Sequence, residues 1–110
     1  MILNRRGAQL FEAGDSLGMY NMYASDADLG GIRGKQLLSY WGGQIREASK
    51  ADMRHMTFST RSLSTDGEFL IEAGVYTIRG KAGDKKGEAM YLIVWKQEDR
   101  VWKLYRDIPL

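Results

Sequence analysis

The stretch YLIVWKQEDRVWKLYRDI, residues 91–108, reads as two apolar strands joined by a polar turn. With Gln97 and Arg100 flanking a two-residue turn, Trp95 faces Trp102, Ile93 faces Leu104 and Tyr91 faces Arg106, all on one side of a sheet. An apolar face that ends in an arginine needs a physical reason, because an unpaired buried guanidinium costs on the order of several kcal/mol.

Upstream of this hairpin the alternating pattern continues. After Asp52 the segments MRHMTFSTRSLST, EFLIEAGVYTIRG, EAMYLIVWKQ and VWKLYRDI each alternate apolar and polar residues and predict four strands. TDGE and EDR mark tight turns and the lysine-glycine segment RGKAGDKKGE marks a longer one, so consecutive strands pair as an antiparallel meander. Before Asp52 the period is helical. Leu3, Ala8, Leu10 and Phe11 share a stripe of a first helix, Gly14 stops it, and Asp15 caps a second. That second helix carries Leu17, Tyr20 and Ala24 and ends before SDADL, a turn into a short strand. A third helix follows GGIRG with Leu38, Trp41, Ile45 and Ala48 on its buried face, weakened by Gly42 and Gly43. Helices first and sheet second is the α+β pattern.

A chain of 110 residues is one domain's worth, residues 1–110, and buries roughly 65% of the surface its unfolded form exposes. No stretch approaches the roughly 20 apolar residues that span a bilayer, so no membrane partner is expected. Sixteen basic and 14 acidic side chains leave a net charge of +2, too little for a nucleic-acid surface unless it is clustered. The one dense cluster, Arg79 to Glu88, reads as a solvated hairpin loop. The arginines of MILNRRG follow the apolar start, the reverse of a signal peptide's order, so a cytoplasmic home is the default. With no cysteine there is no disulfide, thiol nucleophile or thiolate site. No metal spacing and no phosphate-binding loop appears, and no cofactor is implied.

GDSLGMYNMYASDADL, then IRGKQLLSYW, EAGVYTI, YLIVWK and WKLYRDI, in that order from Gly14 to Ile108, resemble the SnoaL-like, ketosteroid isomerase-related group of the nuclear transport factor 2-like superfamily. The resemblance implies a cone-shaped α+β roll, cystatin-like, with N-terminal helices packed on a curved antiparallel sheet, an enclosed pocket and a homodimer formed through the sheet. It also implies positions for the isomerase machinery. The oxyanion-hole tyrosine falls on Gly7, the general-base aspartate on Gly31, and the second oxyanion donor near Tyr91. The first two are absent, so the isomerase mechanism is not expected.

Site candidates follow from which side chains point inward. Arg106 is either an anion clamp, using its planar fork on a carboxylate or enolate, or a structural residue paired with Glu72 or lying in water at the sheet margin. Asp107 alternates to the other face and reads as a surface or dimer-contact residue. Tyr91, Trp41, Trp95, Tyr76 and Tyr20 complete the set of expected ligand contacts, with Tyr23 comparable to Tyr20. Glu72 is a base candidate if its face is inward, and His55, the single histidine, is the other. The expected function is binding of a small organic molecule, anionic if Arg106 acts as a clamp, in an apolar and aromatic pocket. The alternatives are an isomerase, cyclase or dehydratase built on Glu72 or His55, and an association module that works through its sheet.

Overall fold

In the computed structural model, which describes residues 2–110, the chain runs α1 (Ile2–Glu12), α2 (Ser16–Asn21), β1 (Tyr23–Leu29), β2 (Ile32–Arg33), α3 (Gln36–Lys50), β3 (His55–Asp66), β4 (Phe69–Arg79), β5 (Lys85–Glu98) and β6 (Val101–Pro109). The strands form one curved sheet in the order β2-β1-β6-β5-β4-β3. From β3 to β6 it is the expected antiparallel meander. The sheet as a whole is mixed, because β1 pairs with β6 in parallel.

The helix ends obey local rules. α1 buries Ala8, Leu10 and Phe11, Gly14 takes the left-handed conformation at φ 72°, and the Asp15 carboxylate accepts the Gly18 amide at 2.8 Å. In α3 the buried stripe includes Leu37 and Ala48, with Trp41 and Ile45 packed beside them. A β-carbon on Gly42 or Gly43 would meet only the Arg46 guanidinium, at 3.4 and 3.8 Å. These glycines therefore do not permit a close helix approach, and α3 runs through them unbroken.

Two expectations fail in the segment after α2. The helix stops at Asn21, so Ala24 lies in β1, and SDADL is itself strand rather than turn. Its composition disfavours strand locally, but pairing with β6 satisfies its backbone and buries Tyr23, Ala24, Ala27 and Leu29. The polar residues between them point outward, where Asp26 pairs with Lys96 at 2.7 Å and the Ser25 hydroxyl donates to Glu98 at 3.0 Å.

The β5–β6 hairpin also departs from the simple register. Asp99 and Arg100 both adopt positive φ, 52° and 66°, which makes them the two central residues of a turn flanked by Glu98 and Val101. Trp95 therefore opposes Leu104, not Trp102. Beyond that pair Val94 opposes Arg106, so Tyr105 is an extra residue on β6. One bulged residue reverses which side chains face inward along the rest of the strand.

The core lies between the inner sheet face and α3, around Leu29, Leu37, Tyr91, Ile93, Trp95 and Leu104. The lysine-rich hairpin is exposed, with Lys86 on Asp84 at 3.0 Å and Lys85 on Glu88 at 3.0 Å. Among the described residues no helix is long and apolar enough to cross a membrane.

Candidate functional site

Between the helices and the inner sheet face lies a cavity of about 490 Å3. α1 contributes Leu3, Asn4 and Gly7, α3 contributes Tyr40, Trp41 and Gln44, and the strands contribute Phe58, Tyr76, Tyr91, Ile93, Trp95, Leu104 and Asp107. Met19, Met22, Met53 and Met56 also line it. No lysine, arginine or histidine does so among the described residues; the charged side chains are Asp107 and Glu47.

The bulge at Tyr105 decides the polar character of this cavity. Arg106, expected to look inward, lies on the outer sheet face and does not line it. Its guanidinium stacks over the Tyr105 ring at 3.8 Å from the centroid and donates to the Asp26 carbonyl at 3.1 Å and the Tyr105 carbonyl at 2.9 Å. Neither the anion clamp nor the Glu72 pairing exists. Asp107 takes the inward place, opposite Ile93, and accepts the Tyr23 hydroxyl at 3.0 Å. Tyr23 in turn accepts the Trp41 indole N–H at 3.1 Å. Side chains from β1, α3 and β6 thus form one chain of donors ending on a carboxyl group.

Glu72 faces inward too, but it is wholly buried at 0% exposure and is not part of the lining. Its Oε2 accepts Tyr91 at 2.7 Å and Thr60 at 2.9 Å, together with the Asn4 amide, and its Oε1 accepts the Trp95 indole at 3.0 Å. Four donors from α1, β3 and β5 converge on it, three of them on Oε2, so it organises the cavity wall, and its burial outside the lining leaves it unplaced to act as a base on a ligand. Gly74 makes this possible. A β-carbon there would lie 2.8 Å from the Tyr91 hydroxyl and 2.2 Å from the Ser59 carbonyl oxygen. Only glycine lets the phenol cross β4 to reach Glu72.

The remaining candidates divide. Tyr91, Trp41, Trp95 and Tyr76 all line the cavity; Tyr20 packs against the core cluster outside that lining. His55 is half exposed on β3, 3.5 Å from Glu12, and also lies outside it. Gly7 lines the cavity, and Gly31 sits in the exposed β1–β2 turn, its amide donating to Asp28. Asp107 and Tyr23 are the polar pair that local sequence rules missed or left undistinguished. β6 holds no glycine to mark a bulge, and Tyr23 becomes a wall residue only through the parallel strand pairing. Among the described residues, no group of three or more His, Cys, Asp or Glu side chains is placed to hold a metal ion.

The electrostatics follow from burial without a side-chain cation among the described lining residues. Desolvation pushes the Asp107 carboxyl above its ordinary range, against the opposing Tyr23 hydrogen bond. Burial and then the Asp107 charge push the Tyr23 phenol up, and the same two causes raise Tyr40. Burial and the bond to Glu72 raise Tyr91 to about 12, so these phenols remain hydrogen-bond donors at neutral pH. Because Asp107 binds its proton more tightly folded than unfolded, stability falls as pH rises from 3.8 through its folded value, and the loss is complete above that value. Asp107→Asn is therefore expected to raise the melting temperature at pH 7, with the gain disappearing below the ordinary aspartate value of 3.8. A lower melting temperature for the asparagine variant at pH 7 would contradict this electrostatic penalty.

No family model and no curated protein sequence matches the chain. Solved structures do. A nuclear transport factor 2-like protein with a cystatin-like fold from Novosphingobium aromaticivorans superposes with a TM-score of 0.78 at 16% identity, over 96% of this chain and 75% of that one. A nuclear transport factor 2-like protein of unknown function from Shewanella oneidensis gives 0.71 at 10% identity, over 96% and 91%. The fold is nuclear transport factor 2-like, of the cystatin-like kind. A third chain of this shape, from Thiobacillus denitrificans and described as a calcium/calmodulin-dependent protein kinase type II association domain, gives 0.79 at 13% identity over 98% and 92%. At these identities the nuclear transport factor 2-like architecture is shared, and function is a matter for the site itself.

Proposed function

We propose that this chain is a SnoaL-like binding domain whose cavity takes a small, mainly apolar organic molecule. The observation that carries the reading is the lining: about 490 Å3 of space walled by aromatic, aliphatic and methionine side chains, with a single strand-borne carboxyl group held by Tyr23. That volume falls in the range of roughly 300–1,000 Å3 typical of small-molecule sites, which are apolar with a few placed polar groups. The methionines favour tolerance of ligand shape, since their unbranched thioethers repack readily. An anionic ligand loses its support, because the expected clamp Arg106 lies on the outer face. His55 and Glu72 likewise give no support to an acid–base enzyme.

The test uses the neutral fluorescent probe N-phenyl-1-naphthylamine on the native protein and on Ala89→Trp, which adds an indole to the wall opposite Tyr76. Saturable binding at one site per chain is expected, weakened about tenfold or more in the variant, which is about 1.4 kcal/mol. Equal binding by both, with both folded by circular dichroism, would overturn the reading. Pairing of two copies through the outer sheet face belongs to the same proposal, supported by the part-exposed stack of Phe69 on Tyr105 there, 5.4 Å between centroids. Sedimentation velocity showing a one-chain species would remove it.

A further inference from the structure

Resting on the pocket reading above, we infer that the occupant carries a protonated amine, which the Asp107 carboxylate and the surrounding aromatic rings hold in place. Three features of the lining point the same way. Asp107 has a single side-chain partner among the described residues, the Tyr23 hydroxyl, and that bond uses Oδ2. Its Oδ1 has no protein donor among them and is not among the buried polar atoms left unpaired, so it is open to an incoming group. Among the described residues no side-chain cation neutralises it: Arg106 is turned away by the bulge, and no lysine, arginine or histidine lines the cavity. A carboxyl group kept in an apolar cavity without a counter-charge gains most from a ligand that brings one.

The aromatic rings supply the second half of such a site. Tyr23 and Tyr40 both feel the Asp107 charge. Trp41 stands edge-on to Tyr40 with centroids 5.4 Å apart, and its N–H is already committed to Tyr23. Tyr76 lines the same cavity. Aromatic faces attract a cation through their quadrupoles and offset part of the water it gives up, so a carboxylate among them accepts an ammonium where an aliphatic wall would not. A carboxylate ligand would meet Asp107 with no compensating cation, and a neutral one would leave Oδ1 without a charge partner. The acceptor Asn4 Oδ1, buried and unpaired, belongs to the same wall.

Three probes that share one ring system separate the possibilities: 1-naphthylmethylamine, 1-naphthalenemethanol and 1-naphthoic acid, titrated by calorimetry at pH 7 into the native protein and into Asp107→Asn. The amine is expected to bind the native protein about tenfold or more tighter than the alcohol, with the acid weakest. In Asp107→Asn the amine's advantage over the alcohol is expected to vanish. An alcohol that binds the native protein as tightly as the amine would overturn the amine inference and leave the pocket reading standing. An advantage that survives in Asp107→Asn would likewise reject Asp107 as the partner. If none of the three binds, the pocket reading falls and takes this inference with it. The native-protein ranking decides the matter alone should the variant fail to fold.

Discussion

Replacing Glu72 by alanine should lower the stability of the domain by about 4 kcal/mol, from four donors each left unpaired at about 1 kcal/mol, the low end of the cost of a buried unmade hydrogen bond. The Tyr91 and Thr60 hydroxyls, the Trp95 indole and the Asn4 amide all converge on this one carboxyl group. None has an alternative acceptor among the described side-chain bonds except through Tyr91, which Asn4 also approaches at 3.3 Å. Against a total of about 5–15 kcal/mol for a domain of this kind, the loss leaves a marginal or unfolded protein. At about 4 °C per kcal/mol it corresponds to a melting-temperature drop of about 16 °C. Glu72→Gln is the informative control. It keeps the volume and one acceptor, so it can retain the donors on the Oε2 side while its amide opposes the Trp95 N–H, and it should cost about 1–3 kcal/mol. Thermal unfolding by circular dichroism reads both, and a drop of less than about 4 °C for the alanine variant would show that the network does not hold the wall together.

Gly74→Ala is expected to be nearly as damaging, at about 3 kcal/mol, although it adds only a methyl group. The new carbon would sit 2.2 Å from the Ser59 carbonyl oxygen, which is backbone and can move only if β3 separates from β4. It would also sit 2.8 Å from the Tyr91 hydroxyl and 2.9 Å from the ring carbon that bears it. Overpacking costs typically about 1–3 kcal/mol, and displacing Tyr91 adds the loss of its bond to Glu72. The signature would be twofold: a melting temperature lower by about 12 °C and weaker protection of the β3–β4 amides from hydrogen exchange. Retention of native stability would mean that the phenol does not cross this glycine. Glu72 and Gly74 act as one device, the first attracting the Tyr91 hydroxyl and the second clearing its path.

Asp107 has the opposite balance. It sits where desolvation disfavours its charge, and among the described residues one phenol alone offsets that. Under the proposed binding function that cost is kept because the carboxyl group meets the ligand, since an asparagine of the same shape would be less costly there. The outer-face cluster of Lys96, Tyr105, Arg106 and Asp26 is by contrast an ordinary solvated arrangement, with Lys96 and Arg106 both over the Tyr105 ring. Such exposed pairs contribute little to stability.

Local chemistry in the sequence was enough to place three helices ahead of a four-strand meander that starts after Asp52, stop α1 at Gly14, cap α2 with Asp15 and put Tyr91, Trp95 and Trp41 on inward faces. Those features rest on period, caps and turn residues, which act over a few residues and are therefore visible in a linear chain. Three decisions came only with the folded chain. SDADL became strand because β6 offered its backbone a partner, Glu72 became a wall residue because four distant donors meet there, and a single extra residue at Tyr105 exchanged Arg106 for Asp107 in the cavity. Strand alternation has a period of two, so one unpaired residue reverses every face beyond it, and whether that residue is accommodated depends on the packing of the neighbouring strands. The shape was thus written in local signals, whereas the charge of the cavity was decided by register.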